Sequence, residues 1–133
     1  MSQKVHYLFY SILVNCFVVL FTMQPVQSAQ SSTAEVPKVP FQYSLGVQKY
    51  QKMCSACHGQ WLEGTGMGPP LLHPFYKPSH HGDPSFYRAA LQGVKAHHWE
   101  FGDMPPVPDA TKQDMDAIVP FIRWLQREKG LYK

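Results

Sequence analysis

Residues 54 to 58 read Cys54-Ser55-Ala56-Cys57-His58, and this pentapeptide limits what the chain can be more than any other segment. Two thiols and an imidazole fall on about one helical turn. A Cys-x-x-Cys pair serves as a redox disulfide, as half of a zinc site or, when His follows, as an attachment point for a haem. A thioredoxin-like disulfide needs strand and helix alternating around it, and nothing flanking the motif alternates as a strand. A structural zinc needs a second cysteine pair or a spaced histidine pair, whereas the later histidines come as the neighbours His80-His81 and His97-His98. The remaining cysteine, Cys16, lies in an apolar run at the N-terminus, so Cys54 and Cys57 have no third thiol to join once that run is removed.

Haem attachment has a mechanical reason behind its spacing. Thiols separated by two residues reach the two vinyl groups on adjacent edges of one porphyrin, and the next residue sets its imidazole on the iron. The expectation is therefore one covalent haem c per chain, tethered by Cys54 and Cys57 and ligated by His58. Such a centre also suits the bulk sequence. A chain of 133 residues has room for one compact domain, and its 12 prolines and 9 glycines give much of it to loops that need something to wrap.

Lys4 and His6 precede an apolar stretch from Tyr7 to Met23, and a polar run ending in Val26-Gln27-Ser28-Ala29 follows. That order reads as a signal peptide over residues 1–29, cleaved after Ser28 or Ala29. The alternative is an uncleaved membrane anchor, which the short span and Asn15 near its middle disfavour. Residues 30–42 read as a flexible linker and residues 43–133 as the folded haem domain. The protein is thus expected to be exported, to the periplasm of a Gram-negative cell, with membrane association left open through the N-terminal segment or a complex. A formal charge of +3, without runs of Lys or Arg, points away from nucleic acid.

The sixth iron position has several candidates in Met67, Met104, Met115 and five histidines. Met115 repeats with Ile118, Val119, Ile122 and Leu125 on one helical face, which reads as core. Met67, between two glycines and nine residues past His58, is too near in sequence to cross to the other haem face. Met104 stands before Pro105 and Pro106, far enough along for a helix and a return loop, and its thioether favours Fe(II) over Fe(III).

With Cys54 to His58, then Gly68-Pro69-Pro70-Leu71, then Met104-Pro105, the chain from Tyr43 to Leu131 resembles a class I c-type cytochrome of the small bacterial monohaem type. The resemblance implies an all-α cytochrome c fold with crossing N- and C-terminal helices and shorter helices and loops around one haem. It also implies Met104 as second axial ligand, a Pro69 carbonyl accepting the ligand imidazole's proton, and Leu71 packed on the haem. The crossing would set Gly46 and Tyr50 against Trp124-Leu125. Locally, Thr111 and Asp114 spell a capping box for a last helix over about 112–129, with Pro120 as its irregularity. Asp83 as cap with Pro84 in the first turn starts a middle helix through Val94.

The function this implies is one-electron carriage in an exported electron-transfer chain, with redox-protein donor and acceptor and no side chain needed as acid or base. Alternatives are a haem c subunit of a membrane or copper-containing oxidoreductase complex, or a peroxidase-like haem enzyme. His73, His80, His81, His97 and His98 are read as loop residues around the haem edge rather than a second metal site, because adjacent histidines diverge on most backbones. Trp99 and Phe101 are read as burying the haem or Met104, and Trp61 as a donor to a propionate.

Overall fold

The computed structural model describes residues 36–133; the leader over 1–29 and the linker up to residue 35 lie outside the described residues. A 3-10 turn, Phe41–Tyr43, leads into helix α1, Ser44–Met53. Helix α2, Ser55–His58, is the single turn that carries the cysteine motif. A second 3-10 turn, Pro74–Tyr76, precedes α3, Asp83–Gln92, and α4, Lys112–Glu128, closes the domain. The fold is all-α: among the described residues there is no strand, only the isolated bridges Thr65 to Gly68 and Val94 to Met104.

α4 is the longest element and the axis of the core. Its start follows from the capping box, with the Asp114 amide donating to Thr111 Oγ1 at 3.2 Å and the Thr111 amide to Asp114 Oδ2 at 2.9 Å. Asp114 also takes Lys49 of α1 as an ion-pair partner, so one carboxylate starts α4 and ties it to α1. Lys49 and Thr111 together hold that carboxyl well below the usual range. Pro120 sits inside the helix on its exposed side, and the helix continues through it. Its cost of about 3 kcal/mol is outweighed by the packing on either side, since Phe121 through Gln126 are all buried. Each large apolar side chain so buried contributes roughly 1.5–3 kcal/mol.

α1 packs across α4 at Gly46. A Cβ there would run into the Ala117 carbonyl and come within 2.8 Å of Phe121 Cβ, so only glycine admits the approach. One turn on, Tyr50 meets Phe121 edge to face at 5.4 Å. The approach at Gly46 and Tyr50 is thus made on Ala117 and Phe121. Trp124 instead stacks on Tyr43 at 5.4 Å, ahead of α1.

The middle helix starts where the sequence places it but with another cap, and it stops at Gln92, short of the expected Val94, because Gly93 turns to positive φ and Val94 pairs with Met104. Gly82 is the N-cap and makes no side-chain bond, while Asp83 turns to Arg123 Nε of α4 at 2.7 Å. Arg123 is 5% exposed, and its other nitrogens donate to the Tyr76 carbonyl, the His81 carbonyl and Gln126 Oε1 at 2.6, 2.6 and 2.8 Å. Gln126, fully buried, donates in turn to the Leu71 carbonyl at 2.7 Å. These two α4 side chains pin residues 71–83, whose only regular structure before α3 is the short Pro74–Tyr76 turn.

Candidate functional site

The α1 ladder ends at Cys54, whose amide still reaches the Tyr50 carbonyl at 2.8 Å. The chain re-forms a helical turn at once, with the Cys57 and His58 amides both donating to the Cys54 carbonyl at 3.2 and 3.0 Å. Both thiols are free, Cys54 half-buried and Cys57 exposed. Burial, then the neighbouring Cys57, pushes the Cys54 thiol up to about 11. A dithiol redox pair works through a depressed thiol, so this shift opposes the disulfide reading.

His58 is fixed by its second nitrogen. Nδ1–H donates to the Pro69 carbonyl at 2.9 Å, which leaves Nε2 as the nitrogen with a free lone pair. Burial lowers the imidazole's pKa, and the carbonyl partly offsets this, so the ring is neutral at pH 7. Residues 64–69 fold back over the motif to bring Pro69 there. Gly64 donates to the His58 carbonyl at 2.7 Å, and Thr65 Oγ1 donates to the Cys57 carbonyl at 2.7 Å. At Gly68 an added Cβ would lie 3.0 Å from both Cys57 Cβ and the Cys57 carbonyl, so this segment packs tightly on the cysteine turn.

Cys54, His58, Pro69, Leu71 and Met104 all border one cavity of about 380 Å³, with Phe86, Ala90, Ile118 and Ile122 among its apolar walls. Met104 reaches it because its amide and carbonyl pair with Val94, each bond 2.9 Å, and because the Val107 amide then anchors the chain to the Ala90 carbonyl of α3 at 2.8 Å. Met67 is 65% exposed and does not border the cavity. Met115 does border it but is 3% exposed and packed with the α4 core. Cys57, on the exposed side of the turn, is not part of the lining.

A family model described as cytochrome c matches residues 43–126, well over half the chain. The chain belongs to the cytochrome c family. No curated protein and no solved structure matches it. Membership brings haem c binding and a haem-based electron-transfer role, in a family of electron carriers. The residues present fit that group. A thiol pair and a neutral imidazole share one turn, and a soft thioether borders the same apolar cavity.

One buried donor points the same way. Trp99 borders the cavity, and its Nε1 is the buried side-chain polar atom without a hydrogen-bond partner among the described residues. The Tyr76 hydroxyl, pushed up by burial, feels the indole N–H but is not in bonding geometry with it. An orphaned N–H beside the cavity suits a carboxylate of the cofactor. Trp61, the sequence's candidate for that contact, is half-buried against the core and does not border the cavity.

Arg123 and Gln126 escape sequence reasoning. The only local signal is a cation and an amide inside a helix whose apolar residues already fill one face. The histidine pairs, far from diverging, face each other: His80 Nε2 lies 3.1 Å from His98 Nε2, and His81 Nε2 lies 3.5 Å from His97 Nε2.

Proposed function

We propose that this cytochrome c holds a single haem through thioethers to Cys54 and Cys57, with His58 and Met104 as iron ligands, and serves as a one-electron carrier. The observation that carries the reading is the His58 imidazole, committed through Nδ1 to Pro69 and bordering the same cavity as Cys54 and Met104. When bound, haem c supplies an Fe(III)/Fe(II) couple that exchanges one electron at a time.

The protein's part is to hold ligands and exclude water. The Pro69 carbonyl fixes the His58 tautomer and raises the basicity of Nε2. Bracketed by the Val94 pairing and Pro105-Pro106, Met104 offers a thioether, which favours the reduced state. Leu71, buried and held through its carbonyl by Gln126, packs the cofactor face. Ile118 and Ile122 keep that space apolar. No residue is needed as acid or base.

In this reading the chain is exported, through the apolar stretch over residues 1–29, and exchanges electrons with redox proteins outside the cytoplasm. Among the described residues no helix is long and apolar enough to cross a membrane. The test is absorption spectroscopy of the oxidised protein. A weak long-wavelength band from methionine sulfur to iron is expected, lost in Met104→Ala, together with a one-electron reversible titration. Absence of that band in the parent protein, with rapid cyanide or peroxide binding, would favour the peroxidase-like alternative instead.

A further inference from the structure

Two histidine pairs, far apart in sequence, meet on one loop surface. His80 and His81 leave a turn in which both amides donate to the Lys77 carbonyl, at 2.9 and 2.8 Å, and Arg123 clamps the His81 carbonyl from below. His97 and His98 sit in the loop between the paired residues Val94 and Met104. That loop is braced by Asp103, which accepts from the Ala96 amide at 2.9 Å and pairs with Lys95 at 2.6 Å. Each backbone is therefore held independently of the rings.

The ring nitrogens are sorted by these backbones. His81 Nδ1–H donates to the Phe75 carbonyl at 2.6 Å, and His97 Nδ1–H to the Lys95 carbonyl at 2.7 Å. In the neutral form of either ring Nε2 is then the lone-pair nitrogen, and the two Nε2 atoms face each other at 3.5 Å. His80 and His98 bring their Nε2 atoms to 3.1 Å. A carbonyl on Nδ1 with Nε2 free is the arrangement that orients a metal-bound imidazole.

We propose that His80, His81 and His98, with His97 beside His81 as the fourth ligand, form a second metal site, for the d10 ion zinc(II). With Zn–N bonds of 2.0–2.1 Å, the edge of a tetrahedron is about 3.3–3.4 Å. The two Nε2 separations lie on either side of that edge. Ligand atoms of the exposed His80 and the half-buried His81 and His98 all fall within 4.8 Å of one another, and His97 stands outside that set, joined to it through its approach to His81. Phe75 stacks on the His98 ring at 4.3 Å and 24°, giving the cluster an apolar floor.

His81, His97 and His98 also border the haem cavity, so the test reads zinc and the haem together. Zinc chloride is titrated into the full-length haem-loaded protein by calorimetry, with the haem spectrum recorded at each point. The expected result is one zinc per chain without displacement of the haem bands. Affinity should fall about tenfold or more in His81→Gln and in His98→Gln, each checked as folded by its haem spectrum. His73→Gln should bind as the parent does, because His73 lies outside the set and accepts from the Phe75 amide. No binding, binding retained when all four histidines are glutamine, or loss in His73→Gln each overturns the proposal.

Discussion

Replacing Arg123 by methionine tests whether a buried guanidinium holds residues 71–83. The side chain is 5% exposed and makes four hydrogen bonds, and its guanidinium sits over the Phe86 ring at 4.8 Å. The Asp83 bond is the weakest share, since that carboxylate is 58% exposed and solvent screens the pair to about 1 kcal/mol or less. The two carbonyls and Gln126 Oε1 lose a charged donor, each contact being worth roughly 1.5–3 kcal/mol. Methionine keeps much of the packing and spares the cost of burying a cation, so the net loss falls to about 3–4 kcal/mol. For a domain of this size that is a drop in Tm of at least about 12 °C. Urea unfolding of the haem-loaded protein, followed by far-ultraviolet circular dichroism, reads it directly. Asp83→Asn should lose no more than about 1 kcal/mol in the same assay. Arg123→Met within about 1 kcal/mol of the parent, or Asp83→Asn as costly as Arg123→Met, would refute the clamp.

Gly46→Ala should destabilise by about 1–3 kcal/mol despite alanine's better helix propensity, because its Cβ meets backbone, while Gly66→Ala, where a Cβ meets nothing within 4 Å, should cost far less; thermal melts compare the two. Acid should weaken the α1–α4 contact through Asp114. Its folded pKa lies below the value of 3.8 for a free carboxyl, so the unfolded chain binds the proton more readily. The stabilisation is full above about pH 4 and is lost as pH falls toward the depressed folded value. Asp114→Asn should be less stable than the parent at pH 7 and show a shallower loss between pH 5 and 2, measured by urea midpoints.

How much was legible in the sequence depends on the range of the interaction involved. Cys54 to His58 and the Thr111–Asp114 box act within four residues, so spacing alone specifies them, and α4 begins at Lys112 where the box sets it. The last helix ends at Glu128, one residue short of the expected limit, as frayed ends commonly do. Asp83 misleads because its partner, Arg123, lies 40 residues away and outcompetes the local cap. Histidine side chains that diverge on an isolated strand converge once Lys77, Arg123 and Asp103 shape their backbones. Leu62 shows the same limit, since a fully buried leucine at φ 71° has no sequence signature.

On the proposed reading, one haem is bonded to the chain through both cysteines. Mass spectrometry of the purified protein under denaturing conditions tests it most directly, because a ligated but unbonded haem leaves on unfolding. The expected mass equals the chain plus one whole haem, since a thiol adds across a vinyl group with no leaving group. That addition should persist in Cys54→Ala or Cys57→Ala wherever one thioether still forms, and vanish when both are replaced. A parent protein whose haem separates on denaturation, or one that carries none after maturation in a host competent for c-type haem attachment, would contradict it.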